Sequence, residues 1–208
     1  MGRWISCETG LRQIGFSRIC GLDEAGRGPL AGPVVAAAVI LPARFEPNGI
    51  GDSKTLSESK REEGYEFVTS KAVSWGVGIA DVAEIDEINI LQASLLAMKR
   101  AYAKLEPEPD FLLVDGNKVL PEISLPQRAV VGGDGCVMCV AAASIIAKVE
   151  RDRIMREYDK DFPEYGFATH KGYPTKRHRQ AIARYGPCEI HRRSFQLLPA
   201  GQNLELQL

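Results

Sequence analysis

Acidic residues follow three apolar stretches of the sequence, and their placement could support metal-dependent chemistry. The acids are Asp23 and Glu24 after ICGL, Asp115 after FLLV, and Asp134 after RAVVGG. Ligands of open α/β sheets collect where strands end. If these strands are neighbours, four carboxyl groups converge, and such close charges raise one another's pKa unless a cation is present. Oxygen ligands suit Mg²⁺ or Mn²⁺ better than zinc. Two such ions about 4 Å apart activate a water and stabilise the leaving oxygen of a phosphodiester.

Each acid taken singly has a simpler structural explanation. A strand-end Asp often lies in a turn, and Asp134, between glycines ahead of a helix, has the position of an N-cap. Asp23 and Glu24 are adjacent, so on a regular strand their side chains point in opposite directions. They can share a site only if the strand ends or bulges there. Gly26 and Gly28, which follow at once, are compatible with such an irregularity.

Periodicity and turn residues predict the elements that carry these acids. Strands are expected at residues 18–22, 33–41, 72–80, 111–116 and 128–135. Helices are expected from Ser57 (with Thr55 or Ser57 as N-cap), from Asp81 (with a capping box to Glu84), at 137–158 and at 175–185. In the helix after Asp81, one apolar stripe should face the core: Ile88, Leu91, Leu95, Met98, Tyr102 and Leu105. This order of elements predicts a mixed sheet flanked by helices, an α/β or α+β layer structure.

The composition describes a chain able to build a full hydrophobic core, because 45% of its 208 residues are hydrophobic and 25% are charged. These fractions match average globular domains and disfavour disorder. No apolar run approaches the roughly 20 residues that span a bilayer, and the N-terminal residues lack the apolar stretch of a signal peptide. We expect a cytoplasmic protein without membrane contact and, by default, a monomer.

The five cysteines are an odd number in a chain without an export signal, which favours reduced thiols over disulfides. Cys136 and Cys139 form a Cys-x-x-Cys pair of the kind found in zinc and redox sites. Zinc would need a second pair, which the sequence lacks. With apolar neighbours, this pair is better interpreted as part of a packed helix.

Positive charge is concentrated near the C-terminus although the net charge is only −1. Between His170 and Arg193 there are seven Lys and Arg against one acid, Glu189, and all three histidines of the chain lie there. Such a run is either a solvated helix face or a patch that binds phosphates.

Several long motifs occur in order along most of the chain. They are GLDEAGRGPLAGPVVAAAVIL (21–41), DSKTLS (52–57), EIDEINILQASLLAMKRA (84–101), LVDGN (113–117), AAASIIAKVERDRIM (141–155), YGFATHKGYPT (165–175) and HRRSF (191–195). Together they resemble type 2 ribonuclease H, the ribonuclease HII family, over roughly residues 18–197. A set of long, ordered matches is far more specific than one short motif.

This resemblance implies a ribonuclease-H-like fold with a C-terminal helical extension. Residues 1–160 would form the catalytic core, and 161–208 a basic helical extension of the same globular unit with a loosely held tail. The resemblance also implies hydrolysis of the phosphodiester 5′ to ribonucleotides in RNA–DNA hybrids and in duplex DNA with embedded ribonucleotides. The products would carry a 3′-hydroxyl and a 5′-phosphate, formed by a mechanism that uses two Mg²⁺ or Mn²⁺ ions. It leaves open whether a clamp protein is a partner.

The resemblance also assigns residues. By motif position, Asp23, Glu24, Asp115 and Asp134 are the metal-binding acids. The Gly26-Arg27-Gly28 turn would bring backbone groups to the minor groove, where the 2′-hydroxyl distinguishes RNA from DNA. Arg27 would pair with a phosphate or brace the acids; the alternative is a salt bridge to Glu24 without a substrate role. Tyr173 matches the tyrosine that packs against the sugar next to the ribonucleotide, although a tyrosine in such a loop is also ordinary surface packing. Further candidates for phosphate contacts, each with an equally simple surface explanation, are Ser53, Lys54, Lys148, His170 and Lys171.

The sequence departs from the family pattern at a few positions. Gly132 stands where a Lys is common, Cys139 and Val140 replace a Ser and an Ile, and Pro174 stands where Gly is frequent. None of these changes removes a carboxylate, so they bear on substrate binding near Asp134 and not on the presence of activity. The first motif lies near the N-terminus, which favours type 2 over type 3, whose members carry an N-terminal substrate-binding extension.

Three other functions compete with a ribonuclease H. A junction resolvase or exonuclease of the same fold would share the carboxylates but cleave an all-DNA substrate. A non-catalytic nucleic-acid-binding module would gain nothing from four acids where phosphates approach. A small-molecule phosphohydrolase is disfavoured because the sequence has no Gly-rich phosphate loop of Walker type.

Overall fold

Five strands form a single sheet in a computed structural model that describes residues 6–47 and 56–199. They are β1 (Ile19–Ala25), β2 (Val34–Ile40), β3 (Ser74–Ala80), β4 (Phe111–Asp115) and β5 (Gln127–Val130). The described helices are α1 (Ser6–Gln13), α2 (Glu58–Lys71), α3 (Val82–Tyr102), α4 (Met138–Asp161), α5 (Phe167–His170) and α6 (Lys176–Tyr185). A 3₁₀ turn at Gly133–Gly135 precedes α4. In the ranges that the structure describes, no helix is long and apolar enough to cross a membrane.

The sheet has the strand order β3-β2-β1-β4-β5, with β1 at its centre. β2 is antiparallel to both β1 and β3, whereas β4 is parallel to β1 and β5. The predicted mixed sheet flanked by helices is therefore confirmed. Because β1 and β4 run in the same direction, their carboxyl ends lie side by side at one end of the sheet.

α4 packs on one face of β1 at very short range. A Cβ atom on Gly21 would lie 2.2 Å from the carbonyl carbon of Cys139, so only glycine allows this approach. Cys139 is fully buried in α4, as the packing interpretation of the Cys-x-x-Cys pair predicts, whereas Cys136 precedes this helix and is only partly buried. All five cysteines belong to the described part of the chain and are free thiols, as predicted.

α3 covers the opposite face, but its contact stripe differs from the predicted one. Gly78 of β3 explains the difference, because a Cβ atom there would lie 2.0 Å from the carbonyl oxygen of Ala97. Helix and sheet backbones touch, so small side chains form the contact and the larger predicted residues Leu91 and Leu95 flank it, partly buried. The buried residues of α3 are Ile85, Ala93, Ser94, Ala97, Met98 and Ala101.

Predicted side-chain caps are confirmed at two helix starts. Ser57 accepts a hydrogen bond from the Lys60 N–H at 3.3 Å, and Asp81 and Glu84 form both bonds of the capping box. The strand predicted at 128–135 is shorter than expected, because the chain leaves the sheet after β5 and turns ahead of α4.

α1 has no clear pattern in the sequence, yet it completes the start of α4. The N-cap residue of α4 is Val137, which has no side-chain oxygen to accept a backbone hydrogen bond. Glu8 of α1 supplies one, since its Oε1 accepts a hydrogen bond from the Cys139 N–H at 3.0 Å. A carboxylate at this position also interacts favourably with the helix dipole.

The segment after α4 packs on the loop between β1 and β2. A hydrophobic cluster joins Leu30 and Ala31 of that loop to Phe167, Ile182 and Ile190. The loop is thereby fixed between the core and the C-terminal segment. The division into a core and an extension at residue 160 stays a prediction, and of the loosely held tail predicted from Pro199 only Pro199 itself is described.

Candidate active site

β1 and β4 place two of the predicted acids side by side. Leu22 pairs in register with Val114, so the next residues, Asp23 and Asp115, occupy neighbouring positions on strands about 4.8 Å apart. Side-chain alternation puts both on the face covered by α4. Asp23 is only 4% exposed, and its carboxylate accepts a hydrogen bond from Ser144 of α4.

The side chain of Glu24 points to the opposite face of the sheet, and β1 has no bulge at this position. The β1–β2 ladder continues without interruption to Ala25 and Val35, so β1 extends beyond both of its acids. β4, however, ends at Asp115, and Glu24 interacts electrostatically with Asp115 at that end. The adjacent acids of β1 therefore approach Asp115 from opposite faces of the sheet, because the neighbouring strand is shorter.

The 3₁₀ turn brings Asp134 to the same strand end. The Gly133 N–H donates a hydrogen bond of 2.7 Å to Oδ1 of Asp115, and Asp134 is the next residue along the chain, 7% exposed. Val137, not Asp134, occupies the N-cap position of α4. The capping explanation for Asp134 is therefore wrong for α4.

Burial and mutual repulsion disfavour ionisation of the acids on β1. Burial raises the pKa of Asp23 well above its ordinary value, and the charges of Glu24 and Asp115 raise this pKa further. Burial likewise raises the pKa of Glu24, although the nearby charge of Arg27 opposes the increase. A bound cation would stabilise the ionised forms that this environment penalises.

The donor set fits a hard divalent ion, but the side chains are not preassembled around one point. The acids offer only oxygen ligands, which Mg²⁺ and Mn²⁺ prefer. Among residues 6–47 and 56–199, no three Asp, Glu, His or Cys side chains are close enough together to hold an ion as they stand. Repulsion between unneutralised carboxylates favours such spreading, so we expect rotation of the side chains to accompany metal binding.

The Gly26-Arg27-Gly28 turn follows directly from β1, and Tyr173 lies beside it. A Cβ atom on Gly28 would be 3.7 Å from Cε1 of the Tyr173 ring, and Tyr173 is 43% exposed. Two motifs that are about 145 residues apart in sequence thus meet next to the acids. Arg27 forms a salt bridge with Glu24, with 3.3 Å between Nη1 and Oε1, so the bracing contact that the sequence allows is present.

A comparison with protein families identifies the chain. The model of the family described as Ribonuclease HII matches residues 20–198. The chain belongs to the ribonuclease HII family. Membership implies a nuclease that depends on divalent metal ions and cleaves the RNA of RNA–DNA hybrids endonucleolytically.

Individual relatives agree with this assignment to the ribonuclease HII family. The ribonuclease HII of Geotalea daltonii is 54% identical over 185 residues, which cover 89% of this chain and 85% of the relative. That of Chlorobaculum tepidum is 51% identical over 191 residues, covering 90% of this chain and 93% of the relative.

Solved structures of the family share the fold. The ribonuclease H2 of Pyrococcus horikoshii has a TM-score of 0.72 at 28% identity, covering 86% of this chain and 94% of that one. The Archaeoglobus fulgidus ribonuclease HII, solved in complex with PCNA, has a TM-score of 0.70 at 30% identity, covering 88% and 96%. A Bst ribonuclease HIII solved with Mn²⁺ shows the fold alone, with a TM-score of 0.65 at 19% identity over 83% of this chain and 62% of that one.

Two of the residues proposed as phosphate contacts from the ribonuclease HII resemblance are occupied by other partners. His170 is 8% exposed; its Nδ1 accepts from the Gly172 N–H at 3.2 Å and its Nε2 donates to the Tyr165 carbonyl at 2.8 Å. Both ring nitrogens are used, so His170 is not available for a phosphate. Lys171 is 9% exposed, and its Nζ donates to the carbonyl of Ala168.

Of the remaining candidates for phosphate contacts, the structure describes only Lys148. Lys148 forms a salt bridge with Asp152 on the same helix, and burial lowers its pKa. A phosphate contact of Lys148 stays a prediction. Ser53 and Lys54 lie outside the described residues.

Two arginines near the Gly26-Arg27-Gly28 turn are buried, which the sequence does not predict. Arg151 and Arg192 are 1% and 0% exposed, although long charged side chains normally lie on the surface. Arg192 belongs to the basic stretch for which the sequence allows a solvated helix face or a phosphate patch, and its burial agrees with neither. Lys176 and Arg177, at the start of α6, are exposed and stay candidates for phosphate binding.

The departures from the ribonuclease HII pattern lie around the 3₁₀ turn. Gly132 immediately precedes that turn, and Cys139 and Val140 are fully buried in the first turn of α4. Val140 packs against this turn, since a Cβ atom on Gly133 would lie 3.1 Å from its Cγ1, whereas Gly132 is exposed. The structure offers no explanation for Pro174.

Proposed function

We propose that this protein is an endoribonuclease that hydrolyses the phosphodiester 5′ to ribonucleotides, both in RNA–DNA hybrids and in duplex DNA with embedded ribonucleotides. The products carry a 3′-hydroxyl and a 5′-phosphate. One observation supports the proposal most strongly: three strand-end acids interact with one another beside the Gly26-Arg27-Gly28 turn and Tyr173.

Asp23, Glu24, Asp115 and Asp134 would hold two divalent ions, Mg²⁺ or Mn²⁺, which supply an activated water and charge stabilisation for the departing 3′-oxygen. The chain's own contribution is orientation. Ser144 holds the Asp23 carboxylate from α4, and the Gly133 N–H holds that of Asp115. These two hydrogen bonds limit how far the Asp23 and Asp115 side chains can rotate when metal ions bind.

Substrate recognition is assigned to the turn and to the basic residues near it. The 2′-hydroxyl is both donor and acceptor, so backbone groups of the turn can distinguish ribose from deoxyribose. Tyr173 packs against the neighbouring sugar. Lys176 and Arg177 contact the phosphate backbone, and binding therefore weakens as the salt concentration rises.

The test is cleavage of an end-labelled DNA duplex with one ribonucleotide, with Mg²⁺, with Mn²⁺ and with chelator. We expect a single nick on the 5′ side of the ribonucleotide that requires metal, and an intact all-DNA control. An RNA–DNA hybrid of the same sequence should be cut at several positions. Cleavage of the all-DNA duplex would instead indicate a resolvase or exonuclease, and no metal-dependent cleavage would indicate a binding module. The monomeric state and the cytoplasmic location stay predictions.

A further inference from the structure

Two buried arginines donate hydrogen bonds to the loop between β1 and β2 from its interior side. Arg151 of α4 and Arg192, after α6, are the two largest fully buried side chains among the described residues. Neither forms a salt bridge with any residue of 6–47 or 56–199. Burial lowers the pKa of Arg192 to about 9 and that of Arg151 to about 10, so both stay charged at neutral pH. Their partners are carbonyl oxygens.

Arg192 binds the carbonyl groups of the turn. Its guanidinium donates over distances of 2.6–3.2 Å, and its own N–H donates to the Leu30 carbonyl at 2.9 Å. The guanidinium acceptors are the carbonyls of Gly26, Arg27, Pro29, Gly32 and Pro33. One side chain thus fixes the course of almost the whole loop.

Arg151 links the same loop to the segment that carries Tyr173. Its Nε donates to the Pro33 carbonyl at 3.0 Å and its Nη1 to the Lys171 carbonyl at 3.0 Å. It also packs against the turn: a Cβ atom on Gly26, where φ is 104°, would lie 2.2 Å from Nε of Arg151. Gly26 therefore has both a conformational and a steric requirement for glycine.

The inward carbonyls determine where the amide groups point. In a planar trans peptide the C=O and the following N–H are antiparallel. Because the carbonyls of Gly26 and Arg27 point inward to Arg192, the N–H groups of Arg27 and Gly28 point outward. Within the described parts of the chain, these two N–H groups have no hydrogen-bond acceptor. The Tyr173 ring lies close to the same residue, since a Cβ atom on Gly28 would be 3.7 Å from its Cε1.

We propose that Arg192 and Arg151 are positioning residues for ribose recognition: their guanidinium groups hold the loop carbonyls inward and thereby aim the Arg27 and Gly28 N–H groups at the 2′-hydroxyl. This inference rests on the proposed function, since it requires that the turn contacts the ribonucleotide. Arginine suits the task because its planar group carries five donors, whereas lysine has three on a flexible chain. Arg192→Lys preserves the charge and loses most of the hydrogen bonds to the loop carbonyls.

The experiment measures binding in an Asp115→Asn background, which we expect to bind without cleaving. Fluorescence anisotropy gives the Kd of a DNA duplex with one ribonucleotide and of the same duplex with a deoxyribonucleotide there. The background should prefer the ribonucleotide by roughly threefold to tenfold, the equivalent of about one hydrogen bond. Adding Arg192→Lys or Arg151→Lys should bring this ratio close to one while the Kd of the all-DNA duplex is unchanged.

A matched control and a kinetic readout separate positioning from general damage. Arg156 lies on α4 five residues after Arg151 and forms surface salt bridges with Glu58 and Glu62. Arg156→Lys should therefore leave the ratio of the two Kd values unchanged. In the otherwise wild-type protein, Arg192→Lys should lower kcat about 100-fold, as expected when a reacting group is displaced by about 1 Å. Circular dichroism reports folding, and if Arg192→Lys does not fold, Arg151→Lys decides.

Two outcomes overturn the inference on different grounds. If the ribonucleotide preference exists and both lysine variants retain it, or if they lose affinity for both duplexes equally, the arginines are only structural. If the Asp115→Asn background binds both duplexes equally, the turn does not recognise ribose at all. That second result overturns the proposed mode of recognition together with this inference.

Discussion

At the scale of single residues, burial raises the pKa of the acids on β1. Asp23 is almost fully buried, and the charges of Glu24 and Asp115 add repulsion to the desolvation that raises its pKa. Because folding raises this pKa, the folded state holds the proton more tightly than the unfolded state. The resulting stabilisation is present at low pH and is lost as the pH rises through the folded pKa. Near neutral pH the metal-free site is therefore destabilising.

Asp23→Asn should separate the catalytic function of this acid from its effect on stability. Cleavage should fall by at least about a thousandfold, the upper range for losing one charge-stabilising group, while binding of the hybrid survives. Without divalent ions at pH 7.5, the variant should melt at a higher temperature than the wild type, because one penalised charge is gone. Cleavage assays and thermal unfolding measure the two effects.

The control for this substitution is Asp161→Asn, at the exposed end of α4, which should change neither activity nor the effect of metal on melting. Unchanged turnover of Asp23→Asn at saturating Mg²⁺ would remove Asp23 from the catalytic set.

At the scale of elements, two close backbone approaches hold the sheet between its helices. Gly21 lets α4 reach β1, and Gly78 lets α3 reach β3. The first approach places Ser144 against Asp23, so the packing of α4 directly orients a site residue. Hydrophobic periodicity finds large side chains on a helix, but it does not show that two backbones touch. For this reason the predicted stripe of α3 includes Leu91 and Leu95 and omits Ala97.

Gly78→Ala tests the approach of α3 to β3. The added methyl group would overlap the Ala97 carbonyl, so we expect a loss of about 1–3 kcal/mol in the free energy of unfolding, as for other overpacked positions. Urea unfolding measures this loss. Gly10→Ala in α1 is the matched control: its Cβ would have no atom within 4 Å, so the same substitution should be neutral or should stabilise by up to about 1 kcal/mol. Equal effects at the two positions would contradict the close approach.

At the scale of the whole molecule, a chain of neutral histidines ties the C-terminal segment to the site. His191 accepts from the Cys188 N–H at 3.0 Å through Nδ1, so its Nε2 donates to Nε2 of His178 at 3.1 Å. His178 in turn donates from Nδ1 to the Tyr173 carbonyl at 3.0 Å. Protonation of either ring would place two donors against each other. Burial lowers the pKa of His178 to about 4 and that of His191 to about 3.

These pKa values predict acid sensitivity of the folded protein. Unfolded histidines take up protons near pH 6.5, whereas the folded rings stay neutral until about pH 4, so stability falls as the pH decreases through this window. His178→Gln should be less stable at pH 7.5, because a buried contact is lost. Its stability should nevertheless depend less steeply on pH between 6.5 and 4, by roughly one proton. Urea unfolding at several pH values measures both effects.

The control is Lys176→Gln, which places the same residue at an exposed position of α6. It should have the pH dependence of the wild type, since lysine does not titrate in this window. If the stability of His178→Gln depends on pH as steeply as that of the wild type, this histidine is already protonated in the folded state.

The sequence by itself identified the family, predicted most of the elements and proposed the acids. Alternating apolar residues, the Asp81 capping box and the ordered motifs are local in the chain, so they can be recognised without coordinates. The same holds for the prediction that Asp23, Glu24, Asp115 and Asp134 bind metal, because each follows an apolar run. His170 and Lys171 also fit a local pattern of exposed basic residues, and for them the pattern was misleading.

Only the tertiary structure decided how these residues are used. Asp23 and Glu24 reach Asp115 from opposite faces because β4 is shorter than β1, a relation between strands that are about 90 residues apart. Arg151 and Arg192 become interior groups because the loop after β1 folds its carbonyls around them. Burial and hydrogen bonding depend on which distant segments meet, and no local pattern carries that information. The sequence therefore predicts the type of chemistry, whereas the packing determines which polar side chains are available for it.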